Sequence, residues 1–165
     1  MSTTVSTGRT HLRINRTKPF DSVHFIGEGW SIWRGPMDRE GLDGEEQQCG
    51  ESLALTEVDI AKVARKTCLD TDETYVIGEE LLLRLKNDKA LLFDAEVCKT
   101  LYENQHLIPD SWKGKCIYFF GTELRSRNGD RCVLCLCWYD ARWRVDYCWL
   151  DLSFDSRDCV AVGGE

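Results

Sequence analysis

The cysteines are the residues whose type and spacing first suggest metal chemistry. Nine occur in 165 residues, and the densest run is Cys132-Val-Leu-Cys135-Leu-Cys137. A structural zinc site takes a second pair of ligands from another tight turn, and the sequence has no second C-x-x-C. In a strand, Cys132 and Cys135 would also point to opposite faces, because side chains alternate. We therefore predict no metal site and no cofactor.

A cysteine activated by His24 or His106 would provide the chemistry of a nucleophilic enzyme. No feature of the sequence selects one cysteine for this role. The N-terminus lacks the apolar run of a secretory signal, which favours a reducing, cytoplasmic location. We predict free thiols that pack as small apolar side chains, five of them in strand-like runs: Cys116, Cys132, Cys135, Cys137 and Cys148. A small cysteine-dependent enzyme is the alternative.

Two pairs of carboxylates, Glu79 with Glu80 and Asp94 with Glu96, could act as general acid and base. Both pairs fall in the first turns of predicted helices, where the helix dipole favours negative charge. This local role accounts for them, so we predict no catalytic residue and expect a protein that is not an enzyme. No glycine-rich phosphate loop is present either.

Aromatic residues and arginines are the features that indicate binding. Trp138, Tyr139, Trp143, Tyr147 and Trp149 lie close together and are interleaved with arginines. Their alternation favours burial of the three tryptophans, whereas two more tryptophans stand on a glycine-rich arm that we expect to be exposed. Exposed tryptophan and arginine side chains commonly anchor protein interfaces. The predicted interaction residues are therefore Trp30, Trp33, Arg142 and Arg144.

The distribution of charge limits the class of partner. The net charge is −7, and residues 35–60 alone carry eight acidic side chains against one arginine. An acidic surface argues against direct binding to nucleic acid or to anionic membrane, and no apolar stretch is long enough to span a bilayer. We expect another protein as the partner. Alternatively, the acidic segment could imitate phosphates and inhibit a nucleic-acid-binding protein. The sequence does not indicate an oligomeric state.

Hydrophobic periodicity locates the elements. Leu81, Leu82 and Leu85 predict a helix over 79–87, and a second helix begins at Asp94 and ends before Pro109. The segment from 56 to 68 fits a helix, although alternation over 53–60 also fits a strand. From residue 116 the period becomes two, which predicts antiparallel strands over 116–124, 131–139 and 142–150.

Two turns set the predicted register of these strands. A two-residue loop, Asp140-Ala141, pairs Trp138 with Trp143. A three-residue loop ending in a left-handed Gly129 keeps the apolar residues on one face. In this register the first two strands pair as follows: Leu124 with Cys132, Phe120 with Leu136, and Tyr118 with Trp138.

Together these elements predict an α+β protein with two or three helices packed on a C-terminal three-stranded antiparallel meander. We expect a flexible tail over 1–19 and an aromatic arm with an acidic linker over 20–51. A single α+β domain is expected over 52–165.

Four segments carry a resemblance that covers most of the chain. They are Phe25-Ile-Gly-Glu-Gly-Trp30, Ser52-Leu-Ala-Leu-Thr-Glu-Val58, Leu101-Tyr-Glu-Asn-Gln-His-Leu-Ile-Pro109 followed by Trp112, and Arg131-Cys-Val-Leu-Cys-Leu-Cys-Trp138. With these segments the chain resembles an uncharacterised family of small hypothetical proteins from candidate-phylum (patescibacterial) bacteria. The resemblance implies a bacterial cytoplasmic origin and assigns no activity, cofactor or residue role.

Overall fold

A computed structural model describes residues 10–36 and 40–164, and in this part the protein is α+β, as predicted. Its helices are α1 (Ser22–Phe25), α2 (Gly50–Leu53), α3 (Gly78–Asn87) and α4 (Ala95–Glu103). The strands are β1 (His11–Arg13), β2 (Ser31–Ile32), β3 (Glu57–Asp59), β4 (Val63–Thr67), β5 (Val76–Ile77), β6 (Cys116–Arg125), β7 (Arg131–Tyr139), β8 (Arg142–Trp149), β9 (Ser153–Phe154) and β10 (Asp158–Gly163). No helix in this part is long and apolar enough to cross a membrane.

The main sheet has six strands, whereas the sequence predicted three. Its order is β4-β10-β6-β7-β8, and β2 pairs with β6 beside this path. The pairing of β10 with β6 is parallel, and the other pairings are antiparallel. Two small antiparallel pairs, β1 with β3 and β5 with β9, lie outside this sheet.

Helices cover both faces of the sheet. The predicted apolar stripe of α3 (Leu81, Leu82 and Leu85) is buried against one face, and α4 packs on the other. The α4 helix begins where predicted, because the Asp94 side chain accepts a hydrogen bond from the Glu96 N–H. It ends at Glu103, and 3₁₀ turns then lead into β6. Both faces of β6 and β7 are therefore buried.

The described part of the predicted tail belongs to the folded core, contrary to prediction, and the predicted arm contributes a strand to the main sheet. Strand β1 pairs with β3, so that Leu12 lies opposite Val58, and both side chains are buried. Strand β2 pairs with the end of β6. Because these partners lie far along the chain, no local pattern in residues 10–36 reveals them. Residues 1–9 of the predicted tail lie outside the described residues.

The predicted acidic linker is also anchored to the sheet where the structure describes it. The Gln47 N–H donates to the Trp33 carbonyl at 2.9 Å, and the Cys49 N–H donates to the Gly121 carbonyl at 2.7 Å. The side chains of Asp43 and Glu45 remain exposed on this loop. Residues 37–39 lie outside the described part.

The segment from 56 to 68 forms β3 and β4, joined by a 3₁₀ turn over Ile60–Lys62, so the strand alternative holds at Glu57–Asp59 and the helix is wrong. Strand β3 pairs with β1, and β4 pairs with β10 along all five of its residues. The apolar residues of this segment fit either period. Pairing with two distant strands decides the outcome, since each strand needs a neighbour to satisfy its backbone groups.

The register of β6 with β7 is only partly as predicted. Leu124 lies opposite Cys132 and Gly129 has a φ of 88°, as expected. Between Phe119 and Leu124 the register shifts. As a result, the β6 residues up to Phe119 lie on the opposite face of the sheet from the one predicted. The pairs there are Ile117 with Leu136, Tyr118 with Cys135 and Phe119 with Leu134, in place of the predicted Phe120–Leu136 and Tyr118–Trp138.

This shift arises because residues 120–123 bond to other parts of the chain. Gly121 donates to the Phe93 carbonyl at 2.9 Å, and the Glu123 N–H donates to the Gln47 carbonyl at 3.0 Å. The Trp33 N–H donates to the Glu123 carbonyl at 2.8 Å. These bonds replace part of the β7 ladder, so β6 carries a bulge that turn chemistry alone does not predict.

Candidate interaction edge at strand β8

Strand β8 is the outer strand at one end of the main sheet. It pairs with β7 along its whole length, from Arg142 opposite Tyr139 to Trp149 opposite Cys132, in the predicted register. Within the described residues no strand pairs with its other side. An unpaired edge presents backbone N–H and C=O groups that can accept another strand.

The turn before β8 determines which backbone groups face outward. Asp140 and Ala141 both have positive φ, 55° and 62°, as a two-residue type I′ turn requires. The residues flanking such a turn, Tyr139 and Arg142, bond to each other, and alternate residues of β8 then bond to β7. The backbone groups of Trp143, Val145 and Tyr147 consequently point to the open side.

One face of β8 continues the aromatic core out to this edge. Trp143 is buried and packs edge-to-face on Trp138, with ring centroids 5.5 Å apart. Further along, Tyr147 and Trp149 are 38% and 37% exposed. The ring centroids of Tyr147 and the buried Trp30 are 4.6 Å apart, and this contact fixes the Tyr147 ring at the border of the core. Partly exposed aromatic rings of this kind commonly form the centre of protein interfaces.

The other face of β8 carries charges of both signs. The guanidinium of Arg144 lies 5.4 Å from the Tyr139 ring centre and 3.7 Å from Asp140. Arg142 and Asp146 are exposed. The Asp146 carboxylate accepts the Tyr147 N–H at 2.8 Å, so an outward backbone donor is satisfied by its own chain.

The four predicted interaction residues divide into two groups. Arg142 and Arg144 lie on the open edge strand. Trp30 and Trp33 are only 6% and 4% exposed, so the prediction that they form an exposed arm is wrong. The Trp30 ring packs edge-to-face on the Tyr147 ring. The Trp33 ring centre lies 5.7 Å from the guanidinium of Arg131. Glycine neighbours do not indicate exposure here, because Trp30 packs on Tyr147 of β8 and Trp33 lies against Arg131 of β7.

Tyr147 and Trp149 are partly exposed at this edge, although the sequence favoured their burial. Alternation assigned them correctly to the same face as Trp143 and therefore predicted their burial. It carries no information on where the covering layer stops. The run Asp146-Tyr147-Cys148-Trp149, which mixes an acid with aromatic residues, was the available signal of an exposed strand end.

The cysteines show one departure from the predicted free thiols. Cys116 and Cys137 form a disulfide, with Cα atoms 4.6 Å apart. The shifted register of β6 brings them opposite each other, whereas the predicted register leaves Cys116 without a cysteine partner. The other seven cysteines are free, and Cys135 lies 3.6 Å from Cys137, sulfur to sulfur.

Six of the seven free thiols have a raised pKa. Burial raises the pKa of Cys68 and Cys132 to about 12 and that of Cys159 to about 11. Burial also raises the pKa of Cys98, Cys135 and Cys148. A thiol nucleophile needs a depressed pKa, because the thiolate is the reactive form. These six thiols stay protonated at neutral pH.

The histidines considered as activating bases lie on the surface. His24 is in α1 and His106 in the 3₁₀ turn after α4, and both are exposed. In the described part, the polar contacts of cysteine sulfurs go to carbonyl oxygens, to another sulfur or to the Tyr118 hydroxyl, for example Cys132 to the Asp130 carbonyl at 3.8 Å. The structure therefore does not bring together the predicted cysteine–histidine pair.

The carboxylates considered as acid and base are held by cations or by caps. Asp94 is fully buried, receives a bidentate hydrogen bond from Arg16, and accepts the Ser52 hydroxyl at 2.5 Å. Glu79 pairs with Arg131, and Glu80 pairs with Arg84. The sequence placed these carboxylates in first helical turns, and the structure adds ion pairs of Asp94 with Arg16 and of Glu79 with Arg131, whose partners lie far along the chain.

A pocket of about 340 Å³ lies between the loop over 47–51, the end of α3 and the β6 bulge. Its walls include Cys49, Lys86 and Glu123, and the Lys86 ammonium lies 3.1 Å from the Glu123 carboxylate. These two charges therefore neutralise each other within the pocket wall, which also carries Glu51 and Lys89. Compared with this pocket, the open edge of β8 indicates a particular kind of ligand, an extended peptide segment.

No family model, curated protein or solved structure matches the chain. The resemblance to patescibacterial proteins stays a prediction.

Proposed function

We propose that this protein is a non-enzymatic protein-interaction module that binds an extended segment of its partner along the open edge of β8. The proposal rests on the outer side of this eight-residue strand, with which no strand of residues 10–36 or 40–164 pairs. In such strand addition, backbone hydrogen bonds supply affinity, and alternate side chains supply specificity. Arg142 and Arg144 would contact the partner on one face, and Tyr147 and Trp149 on the other.

The opposite edge of the sheet is less suited to this role. Strand β4 has five residues, and its Lys66 and Arg65 are bound to Asp88 and to the Ser111 carbonyl. Charged residues on a short edge strand discourage pairing with another chain. On β8, by contrast, aromatic rings are exposed beside the outward backbone groups.

A displayed library of ten-residue peptides, selected on the immobilised full chain, tests the proposal. Val145→Pro removes one outward N–H and leaves the ladder to β7 intact, since the Val145 backbone faces away from β7. We expect Val145→Pro to weaken binding of the selected peptides at least tenfold. Val145→Thr is the matched control, because it keeps both the N–H and the branched side chain.

Circular dichroism identifies variants that fold. Equal peptide binding by folded Val145→Pro and by the native protein would overturn the proposal. So would failure to select any binding peptide on chains immobilised at a dilution at which they are monomeric.

A further inference from the structure

We infer that the segment bound along β8 is β8 of a second copy, paired antiparallel about a two-fold axis that passes through Val145. This inference rests on the proposed function and names its partner. Outward backbone groups, the two faces of the sheet and the charges on the strand all favour this pairing.

The geometry of an antiparallel pair restricts the registers that are available. A two-fold axis perpendicular to the sheet keeps each face of one copy continuous with the same face of the other. Residues directly opposite each other also lie on one face. The axis must therefore pass through a residue position, so that residues on the face of Trp143, Val145 and Tyr147 in one copy lie opposite residues of the same face in the other.

Charge then selects one register. With the axis at Val145, Arg144 of each copy lies opposite Asp146 of the other, which makes two ion pairs. Moving the axis by one residue places Arg144 opposite Arg144 or Asp146 opposite Asp146. Like charges directly opposite are destabilising. With the axis at Arg144, Arg142 lies opposite Asp146, but the two Arg144 side chains then face each other. Only the register centred on Val145 forms ion pairs without a contact between like charges.

The backbone favours the same arrangement. Since Trp143, Val145 and Tyr147 have outward backbone groups, the two Val145 residues would bond to each other, and each Trp143 would bond to the opposite Tyr147. Arg144 and Asp146 then occupy non-hydrogen-bonded pairs, in which opposite side chains lie closest. The Tyr147 N–H would exchange its bond with Asp146 for one with the Trp143 carbonyl, which frees the carboxylate for the opposite arginine.

The same pairing also brings aromatic side chains of the two copies into contact. Trp143 of one copy lies opposite Tyr147 of the other, and cross-strand aromatic pairs stabilise antiparallel sheets. Tyr147, 38% exposed in the single chain, would lose much of this exposure. The two main sheets would become one continuous sheet, and neither copy would keep an open edge at β8.

Sedimentation velocity of the full chain over a wide range of concentration tests this pairing. We expect a reversible dimer. Asp146→Arg should raise its dissociation constant at least tenfold, because it replaces two ion pairs by two contacts between arginines. The exchange Arg144→Asp with Asp146→Arg should restore dimerisation, since both ion pairs form again with reversed polarity.

Asp43→Arg is the matched control, because it makes the same change of charge on an exposed loop. A native chain that stays monomeric, or an Asp146→Arg chain that dimerises like the native one, would overturn the inference. So would single variants that dissociate and are not rescued by the charge exchange. A monomer that still binds the selected peptides at β8 would overturn self-pairing alone and leave the proposed function intact.

Discussion

Arg131 and Glu123 form an ion pair in the interior of the protein. The Nε and Nη2 atoms of Arg131 lie 2.9 and 2.6 Å from the same carboxylate oxygen, and only 5% and 4% of the two side chains are exposed. Lys86 bonds to the other oxygen of Glu123, and Glu79 bonds to Arg131. Because Glu79 and Lys86 belong to α3, this network connects α3 to β6 and β7 at the bulge.

Replacement of one partner in this pair should destabilise the fold strongly. We expect Arg131→Ala to lower the free energy of unfolding by about 3–5 kcal/mol, because it leaves a buried carboxylate without its main cation. Urea denaturation measures the change. Lys66→Ala is the control: its pair with Asp88 is exposed and should contribute no more than about 1 kcal/mol. Equal losses in the two variants would contradict the structural role given to Arg131.

Gly121 in the bulge should not tolerate a side chain. A Cβ at this position would collide with the carbonyl oxygen of Leu92 and lie 2.5 Å from that of Phe93. Both obstacles are backbone atoms, so we expect Gly121→Ala to cost about 1–3 kcal/mol in unfolding free energy through overpacking. Gly50→Ala is the control, since open space surrounds that position. A Gly121→Ala protein as stable as the native one would argue against the bulge as described.

Gly129 in the turn between β6 and β7 should resist β-branched residues. Its φ of 88° lies in the left-handed region, which such residues rarely adopt. We expect Gly129→Val to lower the melting temperature and to cost about 1 kcal/mol or more. Gly129→Asn should cost less, because asparagine tolerates this conformation. Indistinguishable melting curves for the valine, asparagine and native proteins would contradict the predicted turn.

Thiol counting should give seven free cysteines in the unfolded, unreduced chain and nine after reduction. In the native state at pH 6 we expect slow labelling by iodoacetamide, because burial raises the pKa of most free thiols. One rapidly labelled cysteine would instead support a cysteine-dependent enzyme.

The raised thiol pKa values also determine a dependence of stability on pH. An unfolded thiol ionises near pH 9, whereas Cys68 and Cys132 in the native protein ionise near 12. Above pH 9 the native state therefore binds more protons than the unfolded state, and the free energy of unfolding should fall as pH rises. Urea denaturation at pH 8 and pH 10 measures the sign. Cys68→Ala with Cys132→Ala should reduce the slope.

Local patterns in the sequence were sufficient for several elements. The leucine stripe of α3 and the Asp94 cap of α4 depend on residues within a few positions of one another. The register of β7 with β8 follows from a two-residue turn and from Trp138 opposite Trp143. In each case neighbouring residues determine the conformation, so their order along the chain is enough to predict it.

Only the tertiary structure decided the features that join distant segments. The burial of Trp30 depends on β8, and the β6 bulge depends on residues 33, 47 and 93. The bulge in turn places Cys116 opposite Cys137. The open edge of β8 likewise depends on where the sheet and its covering helices end. Such contacts form between residues far apart in the chain, because backbone groups and apolar surfaces must find partners in space.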